Sequence, residues 1–195
     1  MRVFKGFSPV GGASIAAVLS LAMLTAVQGA QQDSEETIGI KNFGCVNPIL
    51  FRGAQPKDDD YKKLAEMGIK TIIDLQRVGE ADEQGLVEAA GMKFFRIPMS
   101  DRSRPDPAKA EKFLSLVNDP ANQPVFIHCR GGRHRTGAMT AIYRLTKDGW
   151  NAEQAVAEMK KYDFERGFGH GALKDYVYDY YSEMNQKGIV VNSNQ

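Results

Sequence analysis

The ten residues 128–137, HCRGGRHRTG, leave this part of the chain little choice of fold. Before them Val125, Phe126 and Ile127 form a short apolar, β-favouring run behind Pro124; after them Ala138, Met139, Ile142 and Leu145 recur at helical spacing. The segment therefore joins a buried strand to a helix through a tight loop. In such a loop the backbone N–H groups of residues 130–135 converge at a helix N-terminus, where unpaired donors and the helix dipole bind anions. The same field stabilises a thiolate, which makes Cys129 the candidate nucleophile, with a pKa expected well below that of a free thiol. Five residues separate it from Arg135, whose planar fork can hold two oxygens of an anion such as phosphate at once. Gly131 and Gly132 let the backbone curl with no Cβ in the way. Thr136 can donate its hydroxyl to the sulfur when the sulfur departs. An ordinary buried cysteine beside solvated arginines would leave the co-occurrence of His128, Cys129, Gly132, Arg135, Thr136 and Gly137 unexplained.

The loop fits the signature HC-x-x-G-x-x-R-[ST]-G, and at these residues the chain resembles the cysteine-dependent protein tyrosine and dual-specificity phosphatase superfamily. The likeness extends to FRGAQP at 51–56, IIDL at 72–75, IPMSD at 97–101 and YRLTKDGWNAEQAVAEM at 143–159. Over about residues 40–185 it is similar to the small exported bacterial tyrosine phosphatases of the TpbA type. The resemblance implies a metal-independent phosphomonoesterase working through a phosphocysteine, with phosphotyrosine in proteins as the leading substrate and phosphoserine or phosphothreonine tolerated. Arg130, Gly131, Gly132, Arg133, His134 and Thr136 would contact the phosphate, and His128 would orient the loop by hydrogen bonding. The basic residues Arg130 and Arg133 resemble those of plant and fungal atypical phosphatases that act on inositol phosphates, which makes these the second substrate class. Gln76 stands where many relatives carry arginine. Two other classes compete: a sulfur-transfer or arsenate-reducing enzyme using the same thiolate, and a phosphate-binding module without turnover. The first would use a different loop spacing, and the second would lack the cysteine, the arginine or the acid.

That acid must protonate the leaving oxygen as the P–O bond breaks. Asp101 is the candidate: it lies 28 residues before Cys129, directly after an expected strand at 93–98, and in the dual-specificity phosphatases it resembles the acid sits on a loop there. Once deprotonated it can activate the water that attacks the phosphocysteine. Asp106 is the rival, but Asp106-Pro107 precedes the amphipathic run Ala110, Phe113, Leu114, Val117, the pattern of an N-cap with proline at the first helical position. Arg102 and Arg104 either steer an anionic substrate or are solvated loop charges. Three dispersed histidines do not suggest a metal site, so neither metal nor other cofactor is expected. His170, within FERGFGHG, reads as a surface loop residue.

Arg2 and Lys5 precede an uncharged stretch with an apolar run at 15–27 and small residues around 27–29, the pattern of a secretory signal peptide over 1–29. Cleavage would give an exported, periplasmic or secreted protein; an uncleaved signal would anchor it in the membrane instead. Removing residues 1–29 takes two basic and no acidic residues from a chain carrying 25 and 24, leaving a net charge near −1. No global basic field attracts nucleic acid or anionic membrane. A disordered lead-in over 30–39 is expected, then one catalytic domain over 40–188, monomeric and acting on a phosphorylated protein or small phosphoester. Within it a turn-rich hairpin at 42–52 precedes alternating helices (58–67, 81–90, after Asp106, and three more) and strands (70–75, 93–98, 125–128). Such alternation predicts an α/β fold with a central, mostly parallel sheet flanked by helices and ligands at the carboxyl ends of the strands. Cys45 is the second cysteine, and a reversible Cys45–Cys129 disulfide is a conceivable switch.

Overall fold

The structure is a computed structural model that describes residues 38–188. The expected signal peptide, all but the end of the expected lead-in, and the last seven residues lie outside them. The sheet has five strands in the order β1-β2-β5-β3-β4. β1 (Gly44–Asn47) and β2 (Leu50–Ala54) are the antiparallel hairpin, while β3 (Thr71–Gln76), β4 (Lys93–Met99) and β5 (Val125–Cys129) run parallel to one another and to β2. The mostly parallel α/β sheet read from the alternation is thus the observed one.

Six α-helices are described: α1 (Asp58–Glu66), α2 (Glu83–Ala89), α3 (Pro107–Asn118), α4 (His134–Lys147), α5 (Ala152–Lys161) and α6 (Gly171–Gln186). Their starts follow local chemistry. Asp106 accepts a hydrogen bond from the Ala108 N–H at 3.0 Å with Pro107 at the first position, the N-cap its sequence predicted. Asn151 and Gln154 exchange side chain to backbone bonds, each 2.9 Å, as a capping box for α5.

Helices cover both faces, so the central strands are apolar on both and their period-two alternation divides the core in two. Val125, Ile127, Ile73 and Leu75 pack with side chains of α3, α4, α5 and α6. Phe126 and Ile72 point the other way, toward Tyr61 and Leu64 of α1 and Val87 of α2. Each of these fully buried side chains stabilises the fold by about 1.5–3 kcal/mol. The same alternation sends Cys129 to the α4 side and His128 to the opposite face, so a slip of one residue in β5 would exchange nucleophile and histidine. Cys129 ends β5 and Met99 ends β4, on either side of β3. Cys129 and Asp101, two residues past β4, therefore share the carboxyl rim of the sheet.

Candidate active site

The loop from Cys129 to α4 is shaped by the strands beside it. Gly132 has φ +65°, and a Cβ on it would lie 2.5 Å from the carbonyl carbon of Gly53 and 2.6 Å from the nitrogen of Ala54. Only glycine fits both the left-handed backbone and the approach to β2. From the same strand the buried Arg52 donates through Nη2 to the Gly132 carbonyl at 2.6 Å while its guanidinium lies 3.8 Å over the Tyr162 ring. Burial lowers its pKa to about 10, against the opposing pull of Tyr162, Glu158 and Cys129. Asn42 Nδ2 donates to the Gly131 carbonyl at 2.8 Å. Two consecutive loop carbonyls are thereby fixed outward, and their peptide planes with them.

Within this loop Cys129 is 2 % exposed. Burial opposes ionisation of its thiol, but the Thr136 hydroxyl, the Arg135 charge and the amides of Thr136 and Gly131 together outweigh it and lower the pKa. Arg135 is half-buried, with Nη1 3.4 Å from the Met99 carbonyl. The Nε atoms of Arg135 and Arg133 are buried and make no hydrogen bond among the described residues. Arg133 folds back over the loop, its Nε 3.0 Å from where a Cβ of Gly131 would sit, whereas Arg130 is exposed. The two extra arginines thus have different stations.

His128 lies beneath the loop in a row of polar residues that crosses the sheet. Parallel register aligns it with Asp74 of β3, which is aligned in turn with Arg96 of β4. Its Nε2 is 2.8 Å from Glu83 Oε1, its Nδ1 4.0 Å from Asp74 Oδ1, and Arg96 reaches both carboxylates, at 2.7 Å to Asp74 and 3.4 Å to Glu83. Tyr61 and Gln55 each donate to Glu83 Oε1 at 2.8 Å. Burial alone would raise the Glu83 carboxyl; hydrogen bonds and charge from His128, with the bonds from Gln55 and Tyr61, hold it down at about 2. Gln76, the departure from arginine, donates to Gln55 Oε1 at 2.5 Å and so belongs to the same network. Asp74, Glu83 and His128 present ligand-type atoms within 4.8 Å of one another. Arg96 already lies against both carboxylates, so the group is charge-compensated without a cation.

The third part is the loop after β4. Asp101 is half-buried, and its carboxylate makes no hydrogen bond or ion pair among the described residues. Its backbone is tethered instead: His170 Nδ1 is 2.7 Å from the Asp101 carbonyl, and Ser100 Oγ accepts from the Arg102 N–H at 3.1 Å. Arg104 forms an ion pair with Asp179 of α6. Two histidine expectations change here. His134, expected against phosphate, is buried; its Nε2 donates to the Arg166 carbonyl at 3.1 Å and its ring stacks on His170 with centroids 3.4 Å apart. Burial first, then His170, lowers its pKa to about 4, so the ring is neutral and engaged in packing. His170 is no free surface residue but the other half of that stack. The Cys45–Cys129 disulfide is overturned by register. Cys45 is aligned with Phe51 and Phe51 with Phe126, two strands across and three residues along from Cys129. That is on the order of 14 Å, about twice the span a disulfide bridges.

Sequence reading found Cys129, Arg135 and Thr136 but passed over Asn42, Arg52, Asp74, Glu83, Arg96 and His170. Two of them carried a signal. A carboxylate inside the apolar strand TIIDL, and an arginine within LFRGA, must be paired once buried.

A strand–loop–helix anion site with an activated thiol, on a parallel sheet with a carboxylate two strands away on the same rim, defines the class of cysteine-dependent phosphatase-like domains. The family model described as DSP-PTPase phosphatase fused to NAD+ kinase matches residues 20–173, and the chain belongs to that family. It is similar to inositol diphosphatase SIW14 of Saccharomyces cerevisiae (26 % identical over 167 residues, 83 % of this chain and 58 % of the relative). It is also similar to the dual specificity protein phosphatase TpbA of Pseudomonas aeruginosa (27 % over 124 residues, 63 % of this chain and 55 % of the relative). The chain thus spans a little over half the length of these curated relatives. In solved structures the fold matches the catalytic domain of SIW14 from S. cerevisiae with TM-score 0.65 at 23 % identity, covering 77 % of this chain and 95 % of that one. P. aeruginosa TpbA matches with TM-score 0.63 at 24 % identity, covering 74 % and 91 %. These likenesses speak to the fold.

Proposed function

We propose that the protein is a metal-independent phosphomonoesterase in which Cys129, Arg135 and Asp101 are the catalytic residues. The observation that carries this is the placement of the buried Cys129 thiol at the end of β5, at the start of a loop pinned by Arg52 and closed by Arg135 and Thr136 in the first turn of α4, a setting that favours the thiolate. The Cys129 sulfur attacks phosphorus, forming a P–S bond as the P–O bond breaks, and Asp101 gives its proton to the leaving oxygen. Arg135 and the amides hold the three remaining oxygens through the transition state. Asp101, now a carboxylate, takes a proton from water as the water oxygen bonds to phosphorus. The sulfur then leaves as a thiolate to which Thr136 donates. Arg133, Gly131, Gly132 and the backbone of His134 belong to the binding loop, and His128 acts from below as the anchor of the strand end.

The leading substrate is phosphotyrosine in proteins, as in the family the loop resembles, with the TpbA likeness in support. A second reading, an inositol polyphosphate, is favoured by the exposed Arg130, whose charge lies open beside the loop to meet further phosphates, and by the similarity to an inositol diphosphatase. Residues 1–29 are proposed as a cleaved export signal; among the described residues no helix is long and apolar enough to cross a membrane. Monomeric action on a diffusible or protein-bound phosphoester completes the reading. The test is parallel turnover of phosphotyrosine peptides, phosphoserine peptides and inositol polyphosphates, with Cys129→Ser as the control. Because a serine hydroxyl is not ionised there, this variant should bind substrate yet lose hydrolysis by at least about 1,000-fold. Retained turnover in Cys129→Ser sinks the mechanism.

A further inference from the structure

A general acid whose carboxylate has no hydrogen-bond or ion-pair partner among the described residues must be aimed by its backbone. For Asp101 that backbone is gripped from a distant part of the chain. Its carbonyl accepts from His170 Nδ1 at 2.7 Å. The other nitrogen of His170 faces Gly167, where a Cβ would lie 3.3 Å from Nε2, so Nδ1 is the atom that serves Asp101. Gly169 backs onto the same loop, a Cβ there falling 3.8 Å from Arg102 Cδ. The His170 ring then stacks on His134, with planes 15° apart. His134 is the first residue of α4 and the neighbour of Arg135. It is itself fixed by the Arg166 carbonyl and by Phe164, set edge-on at 5.4 Å. Segment 164–170 is therefore a strap from the phosphate-binding helix start to the peptide that carries the acid.

We infer that His170 is a positioning residue for Asp101, holding the acid loop in register with the phosphoryl site through the Nδ1–H to Asp101 carbonyl bond and the stack on His134. This rests on the reading of Asp101 as the acid. A displacement of about 1 Å at a reacting group costs on the order of 100-fold in rate. The bond fixes the peptide plane directly after the Asp101 Cα, from which the carboxylate projects. Loss of the strap accordingly harms substrates that need protonation and spares those that do not.

The experiment compares phenyl phosphate, a poor leaving group, with nitrophenyl phosphate, an activated one, for Asp101→Asn, His170→Phe, His170→Asn and the Asp101→Asn/His170→Phe pair. His170→Phe keeps an aromatic ring on His134 without the donor, and His170→Asn restores an N–H close to the Nδ1 position. Expected is a fall in kcat of about 10- to 100-fold on phenyl phosphate for His170→Phe, less than about threefold on the nitrophenyl ester, and little change in KM. His170→Asn should recover most of the loss, and His170→Phe should add nothing in the Asp101→Asn background. If Asp101→Asn itself lacks the leaving-group contrast, the acid assignment falls and the positioning role with it. If Asp101→Asn has the contrast but His170→Phe matches the wild type, or slows both esters equally, or His170→Asn rescues nothing, the strap is overturned while the acid stands. Thermal unfolding of each variant identifies general destabilisation, which would appear as an equal loss on both esters.

Discussion

Thr136 and Arg135 share the first turn of α4, so one helical turn supplies a charge and a hydroxyl to the same sulfur. The reactive form is the thiolate, and its pKa is lowered, so kcat/KM should rise as pH climbs through the Cys129 ionisation and level off above it. Thr136→Ala removes the largest of the influences that lower this pKa and should move that acidic limb to higher pH, leaving rates alike on the alkaline side; Thr136→Ser should leave the limb in place. A hydrogen bond to a charged group is worth about 1.5–3 kcal/mol, so breakdown of the phosphocysteine should slow about 10- to 100-fold in Thr136→Ala. Rapid-quench measurement of the initial burst checks this: a larger burst with slower steady state is the expected result. Why Thr136, Cys129 and Arg135 were legible is itself chemical. Anion capture by consecutive amides demands a continuous stretch of chain, so its residues appear together. Arg52 and Asn42 hold the same loop from 80 and 89 residues away, and no local spacing encodes that.

At the scale of elements, α2 and β5 are joined by the Glu83–His128 contact as well as by the apolar packing of Val87 and Phe126. Glu83 is 1 % exposed and held at about 2 against an ordinary 4.5. A folded-state pKa below the unfolded one gives stability that is fully present above about 4.5 and is lost as pH falls toward 2. Glu83→Gln should lower stability at neutral pH by about 3 kcal/mol, because Arg96 loses part of a buried counter-charge and Gln55 and Tyr61 lose a charged acceptor, and should flatten the acid side of the stability curve. Urea midpoints over a pH series measure both effects; an unchanged acid slope would mean that another carboxylate carries it. His134 acts in the same direction at milder acidity: its folded pKa of about 4 lies below the ordinary 6.5, so its contribution declines as pH falls from 6.5 to 4. Element boundaries were readable to within a residue or two from caps, glycines and periodicity. The strand order was not, because β5 between β2 and β3 is decided by side-chain burial on two faces at once.

Over the whole molecule, 25 basic and 24 acidic residues nearly cancel, so any attraction for an anionic substrate must come from the site itself. Arg130 and Arg133 differ in station, and that separates their roles. Arg133, folded over Gly131, should matter for every phosphoester, whereas the exposed Arg130 can meet only groups outside the loop. Arg130→Gln should lower kcat/KM several-fold on an inositol polyphosphate and leave a phosphotyrosine peptide within about twofold; Arg133→Gln should lower both. Raising salt, which shortens the reach of exposed charges to a few ångströms at about 1 M, should imitate Arg130→Gln only. An enzyme that prefers inositol polyphosphates and loses the preference in Arg130→Gln would reverse the substrate ranking. The four-strand origin of the site has one more consequence. Arg52 arrives on β2, the nucleophile on β5, the supporting carboxylate on β3 and its partner Arg96 on β4, so the scaffold that holds the activating loop is complete only in the assembled sheet. During refolding of a Cys45→Ala variant, the rate of Cys129 alkylation by iodoacetamide at neutral pH is therefore a clock for sheet assembly: it starts at the value of an ordinary solvent-exposed thiol and changes to that of the buried, activated one when the strands that hold the loop have docked.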